Sequence, residues 1–180
     1  MLFGTVCALN QKKIMKNLTF IFVAAATLTS CSTVSSVLQN NLPFNSNFVV
    51  TQGSPAQTQL SAVGTGASLN QIVGVSNNVK EIRPSTATVS VTSGAQGMGV
   101  FKSVHVYLTS GQKEILIASR DQIADNIGTS LSLDVRSQIV DDVMKSGSSI
   151  QQRVVYVLKS APTTDMNVKS SITFTSLPIQ

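Results

Sequence analysis

The sequence predicts a mainly β fold, an antiparallel β-sandwich with one or two short helices, and three observations carry that prediction. Apolar and polar residues alternate in short runs, the signature of strands with one buried face. Glycine- and serine-marked turns separate the runs. The composition is poor in charge, at 12%, has no Trp, and is filled out by Ser, Thr, Val, Asn and Gln, which favour strands and turns over long helices.

Taken in chain order, the first clear strand is at Val89 and Val91. They stand among Thr88, Ser90 and Thr92, the pattern of a half-buried strand. The glycine-rich stretch 94–99 then reads as a turn. Over 101–108, Val104, Val106 and Leu108 share one face of a strand, and His105 and Tyr107 the other. Ser110-Gly111 is a hairpin turn signal leading into a strand at 114–118, and Leu131, Leu133 and Val135 alternate again. The spacing predicts a helix over 137–145, with Ile139, Val140, Val143 and Met144 on one face and Asp141 and Asp142 turned to solvent. Ser137 is placed to cap its start and Gly147 its end. A second short helix is expected over 68–77, using Leu69, Ile72 and Val73. Strands at 150–159 and 168–175 close the chain. In the last of these Val168, Ile172 and Phe174 point inward past Ser170, while Lys169, Ser171 and Thr173 point out. A flattened β-barrel is the rival arrangement. Neither needs a disulfide, because about 120 residues bury an adequate core.

The chain divides into three parts: a leader at 1–30, a tether at 31–59 and the β-domain at 60–180. The tether is Ser/Thr/Asn/Gln-rich, contains Pro43 and Pro55, and carries no charge, a composition expected of a flexible spacer. Phe44 and Phe48-Val49-Val50 are its exceptions, placed to dock on the domain as an early strand. No internal repeat is visible.

The leader has the parts of a secretory signal. Met15-Lys16-Asn17 supplies a short positive region, and 18–28 an apolar run too short for the roughly 20 residues a bilayer span requires. Because the signal is complete from Met15 onward, Met15 is the expected start of translation, the alternative being one long positive region from Met1. The tetrapeptide Leu28-Thr29-Ser30-Cys31 at its end resembles the lipobox of bacterial lipoproteins, where an aliphatic residue and two small ones precede the processed cysteine. The resemblance covers about seventeen residues. It implies that the leader is cut before Cys31, that the Cys31 thiol is diacylated, and that the protein is held on a membrane by its lipid. The bland alternative is an ordinary secretory signal or anchor helix in which Cys31 is incidental. No aspartate follows Cys31, so the family analogy points to the periplasmic face of the outer membrane.

The remaining features are mostly exclusions. The formal charge of +5 includes Lys12, Lys13 and Lys16. From Cys31 onward ten Lys/Arg face eight Asp/Glu, a balance of +2 without the clustering that nucleic acid requires. Cys7 and Cys31 are the only cysteines; a disulfide between them is the alternative to losing Cys7 with the leader. His105, the only histidine, is read as a structural or surface residue rather than part of a catalytic triad. Gly64-Thr65-Gly66 is half a dinucleotide fingerprint with Leu69 where a third glycine belongs. Asp121, Asp125, Asn126 and Gly128 do not match a calcium loop and are assigned to turns. No Cys/His spacing suits zinc, and exposed aromatics for stacking sugars are scarce. The expectation is therefore a non-enzymatic envelope lipoprotein without cofactor or metal, docking as an accessory or adaptor subunit on a larger outer-membrane complex. The rivals are a periplasmic carrier with an apolar cavity for a lipid, and a fimbria-like surface subunit.

Overall fold

The computed structural model describes residues 40–73, 78–146 and 149–179. They build two antiparallel sheets facing one another. The strands are β1 (Asn40–Val50), β2 (Gln59–Val63), β3 (Val79–Ser93), β4 (Phe101–Ser110), β5 (Lys113–Arg120), β6 (Ser130–Ser132), β7 (Asp134–Val135), β8 (Ile150–Leu158) and β9 (Met166–Pro178). One sheet runs β1-β9-β3-β6 and the other β2-β8-β4-β5-β7. No ladder joins the two sheets among the described residues, so the architecture is a β-sandwich and not a flattened barrel.

Alternation builds the core. Val104, Val106 and Leu108 of β4 and Val168, Ile172 and Phe174 of β9 are buried as their period-2 spacing requires. They join Leu42, Phe44, Phe48 and Val50 of β1 and Ile150, Val154 and Leu158 of β8 in one apolar cluster. Tyr156 ties the sheets together. Its ring stacks on Phe48 of β1 at 5.9 Å between centroids and meets Phe101 edge-on at 5.7 Å.

Over 40–59 the expected tether is corrected by β1, which contains the early strand expected at Phe44 and Phe48-Val49-Val50; positions 31–39 lie outside the described residues. Asn40–Val50 pairs with β9 without a break in register, and every second residue from Leu42 to Val50 is buried. The absence of charge in this stretch marks a strand with one face in the core and one polar face, not a spacer. The segment after β1 is pinned as well. Gly53 N–H donates to the Pro162 carbonyl, Gln57 N–H to that of Leu158, and Gln52 N–H to the Asp165 carboxylate at 2.7 Å. The domain therefore starts by Asn40 rather than near residue 60.

The segment 130–145 is corrected twice. The alternation at Leu131, Leu133 and Val135 does not form one strand: β6 pairs with β3 in one sheet, and β7 with β5 in the other. The chain changes sheets at buried Leu133. The helix expected over 137–145 is only the short α2 (Asp141–Met144), its N-cap position is Val140 with no side-chain cap in place of Ser137, and Ile139 is about half exposed. The cause is tertiary. Val140 N–H donates to the Ile82 carbonyl and Arg136 N–H to that of Ile117, which ties the backbone of this stretch to both sheets in place of helical bonds. Gly147 lies outside the described residues.

The other helix is α1 (Leu69–Val73). Ser68 and Gln71 form a reciprocal capping box: Ser68 N–H donates to Gln71 Oε1 at 2.7 Å, and Gln71 N–H to Ser68 Oγ at 3.4 Å. Ile72 is buried. The expected continuation to Asn77 falls on 74–77, outside the described residues.

Candidate functional site

Leu28, Thr29, Ser30 and Cys31 lie outside the described residues, so the chemistry on view is that of the domain. Polar side chains gather in three places.

On the outer face of the second sheet His105 Nε2 lies 2.9 Å from Asp121 Oδ1. Ser119 stands opposite His105 in the β4–β5 ladder. No hydrogen bond joins its hydroxyl to the ring among the described residues, and the histidine and aspartate lie on open sheet surface. Nearby, Arg153 grips Glu114 with two N–H donors and lies 4.6 Å from the centre of the Tyr107 ring. The Arg153 hydrogen bond holds the Glu114 carboxyl below its ordinary range, and Glu114 in turn raises the Arg153 guanidinium.

At one end of the sandwich a cleft of about 340 Å3 is lined by Gln96, Gly97, Gly99, Val100, Asp125, Ile127, Lys159 and Ser160. The Lys159 ammonium donates to the Ile123 carbonyl and to Asp125. Gly97 and Gly99 are glycines for steric reasons: a Cβ would come 2.7 Å from the Gly128 carbonyl oxygen and 2.2 Å from that of Asp125. The structure thus separates the acidic residues weighed for calcium. Asp121 turns to His105 and Asp125 to Lys159, and no three metal-ligating side chains converge among the described residues.

The third place is inside. Ser46, Ser170, Ser176 and Gln152 are buried at 0–2% exposure. Gln152 Nε2 donates to the Phe44 carbonyl across the sandwich at 2.8 Å. Gln152 Oε1 and the three serine hydroxyls have no partner among the described residues. Alternation identifies Ser170 as inward-facing from the sequence. It is not applied to Gln152, which sits in the polar triplet Gln151-Gln152-Arg153, or to Ser46, which sits in the expected tether. Gly64 also gains a reason here, since a Cβ on it would fall 1.4 Å from Ser46 Oγ. The glycine lets the chain after β2 close over Ser46, and the dinucleotide reading is not needed.

No protein-family model matches the chain, and no curated protein sequence matches it. Among solved structures it is similar to FLHE, with 10% identity and a TM-score of 0.37 over 78% of this chain and 97% of that one. It is also similar to the decameric BFDV capsid protein, with 10% identity and a TM-score of 0.39 over 79% and 98%. The turnip yellow mosaic virus empty head gives 12% identity and a TM-score of 0.31 over 94% and 92%. Likeness of this degree carries no inference about activity, and the sandwich assignment rests on the chain's own strand pairing.

Proposed function

We propose that the protein is an outer-membrane lipoprotein facing the periplasm, anchored through acylated Cys31, whose β-sandwich serves as a non-enzymatic accessory or adaptor subunit of a larger envelope complex. The observation that carries this reading is Leu28-Thr29-Ser30-Cys31 directly behind a positive start and an apolar run of secretory length. Strand β1 begins nine positions after Cys31 in the sequence. The outer face of the second sheet, with its paired Arg153–Glu114, Arg120–Asp134 and His105–Asp121, offers a polar surface for a protein partner.

Intact-mass analysis of membrane-extracted protein tests the anchor. The expected species begins at Cys31 and carries acyl mass, and Cys31→Ala loses it. An unchanged acyl-bearing mass from that variant sinks the reading. The adaptor role predicts a stoichiometric partner that co-purifies in detergent, with retention reduced by charge reversal at Arg153 and Glu114.

A further inference from the structure

Three of the buried polar atoms without a partner gather at one level of the interior. Ser46 of β1 and Ser170 of β9 are directly opposed in the ladder. Alternation turns both inward, between Phe44 and Phe48 on one strand and between Val168 and Ile172 on the other. Directly opposed cross-strand residues hold their Cβ atoms about 5 Å apart, so the two hydroxyls are neighbours. Gln152 of β8 enters from the second sheet. Its Nε2 donates to the Phe44 carbonyl at 2.8 Å, two residues from Ser46, and its backbone carbonyl accepts Gly64 N–H at 3.0 Å. Gly64 in turn lies against Ser46, where its Cβ would fall 1.4 Å from Oγ. Gln152 is therefore pinned beside Ser46 through both its amide and its backbone, and Oε1 is carried there on the same amide as Nε2. Ser46, Ser170 and Gln152 are all buried, and Ser46 Oγ, Ser170 Oγ and Gln152 Oε1 make no hydrogen bond among the described residues. Ser176 does not belong to the group: it stands opposite Asn40, at the far end of the same ladder.

We propose that one water molecule is bound inside the sandwich at this point, held by Ser46 Oγ, Ser170 Oγ and Gln152 Oε1. Buried polar groups almost always have a partner, and those left without one by the protein are bonded by ordered interior water, which makes about three hydrogen bonds. The donor count fits. Water donates to Gln152 Oε1, which only accepts, and to one serine, and it accepts the hydroxyl proton of the other. Neighbouring polar atoms that do not bond directly are the setting in which a water bridges. Three neutral oxygens offer no charge to compensate a cation among apolar side chains, so the ligand is water and not a metal. The bridge also fixes β1. Alternation resists a slip of one residue, which would turn the core face outward, but not a slip of two. A slip of two would set Phe44 or Phe48 opposite Ser170 and part the three polar atoms, so the water site selects the observed register. This inference rests on the strand pairing of the domain and not on the lipid anchor.

The test uses the full-length protein in detergent. Oxygen-17 relaxation dispersion detects long-lived interior water and, unlike proton methods, does not confuse it with exchanging hydroxyls. Ser170→Ala should remove the contribution of one such water, and Ser176→Ala, outside the group, should leave it in place. Urea unfolding supplies a second readout through the direction of the change. A hydroxyl that holds a water loses a bonded partner on replacement, so Ser46→Ala and Ser170→Ala should each lower the midpoint. The double variant should lose less than the sum, because either change releases the same water. A hydroxyl buried with no partner is instead a cost to the fold, and alanine leaves the midpoint unchanged or raises it. Circular dichroism confirms that each variant is folded. A dispersion that Ser170→Ala does not change overturns the proposal, as does a midpoint that either serine variant leaves unchanged or raises. Strictly additive losses overturn it too, since the two serines would then have separate partners.

Discussion

Replacing Asp141 with alanine removes the side chain that holds α2 against an irregularity in β3. The β3–β9 register jumps between Lys80 and Arg83, and Glu81 there adopts φ +53, a left-handed conformation uncommon for a residue with a side chain. Asp141 Oδ1 accepts Ile82 N–H at 2.7 Å, and Oδ2 accepts Glu81 N–H at 3.2 Å and the Lys145 ammonium at 2.9 Å. Ile82 is fully buried, so its N–H bond to a charged acceptor stands in the range of about 1.5–3 kcal/mol. The longer and more exposed Glu81 contact contributes less, and the Lys145 pair on the helix surface roughly 0.3–0.5 kcal/mol. Together these give a loss of about 2–3 kcal/mol for Asp141→Ala. For a domain of this size that lowers the urea midpoint by roughly 1–2 M at an m-value of about 1.5–2 kcal/mol/M. Asp141→Asn keeps an acceptor for Ile82 and should lose about half as much. Asp142→Ala, one residue on and exposed, should stay within about 0.5 kcal/mol of wild type. Urea unfolding measured by far-ultraviolet circular dichroism compares all three. If Asp141→Ala matches Asp142→Ala, the carboxylate does not hold the bulge.

Two further outcomes rest on the geometry. Arg153 holds Glu114 below its ordinary pKa of 4.5, so the pair's contribution to stability is present above that value and is lost as pH falls through the lower folded value. Solvent screens it to less than about 1 kcal/mol, and the deficit of Glu114→Gln should be seen at neutral pH and shrink on acidification; a deficit that grows in acid would contradict the pairing. Gly64→Ala brings a Cβ to 1.4 Å from Ser46 Oγ and 2.8 Å from Ser46 Cβ, for a loss of about 1–3 kcal/mol. Adding Ser46→Gly should recover part of it, and strictly additive losses in the double-mutant cycle would show that the two residues do not collide.

The polar groups of the domain are only partly legible in the sequence. Ser170 can be placed inside because it interrupts an alternation whose phase Val168, Ile172 and Phe174 define. His105 can be placed on the outer face for the same reason, opposite Val104, Val106 and Leu108. Its partner Asp121 cannot, because the β4–β5 hairpin brings together residues sixteen apart and its register shifts between Val106 and Tyr107. Asp125 and Lys159 are thirty-four positions apart and meet only where the β5–β6 loop reaches the end of β8. Gln152 is hidden because its reason for burial, the Phe44 carbonyl, lies 108 positions away on the opposite sheet.

What the sequence determined by itself is the class of the fold and the inward face of its regular strands. That information is local: side chains of a strand alternate whatever the strand pairs with, so two apolar residues with one between them already state which way a strand faces. The start of the short helix at Ser68 is local in the same way, contained within one turn. The tertiary structure alone decided the fate of segments whose local pattern was ambiguous. Asn40–Val50 is polar enough for a spacer until β9 supplies a ladder along its full length. The run through Leu131, Leu133 and Val135 is one alternation but two strands, because β3 and β5 each claim a part of it. The stretch before Asp141 has a helical apolar face, yet it does not coil into a helix, because Val140 N–H and the Asp141 carboxylate are held by the backbone of β3. In each case the deciding hydrogen-bond partners lie well outside the local window, and a local pattern cannot say that they will be there.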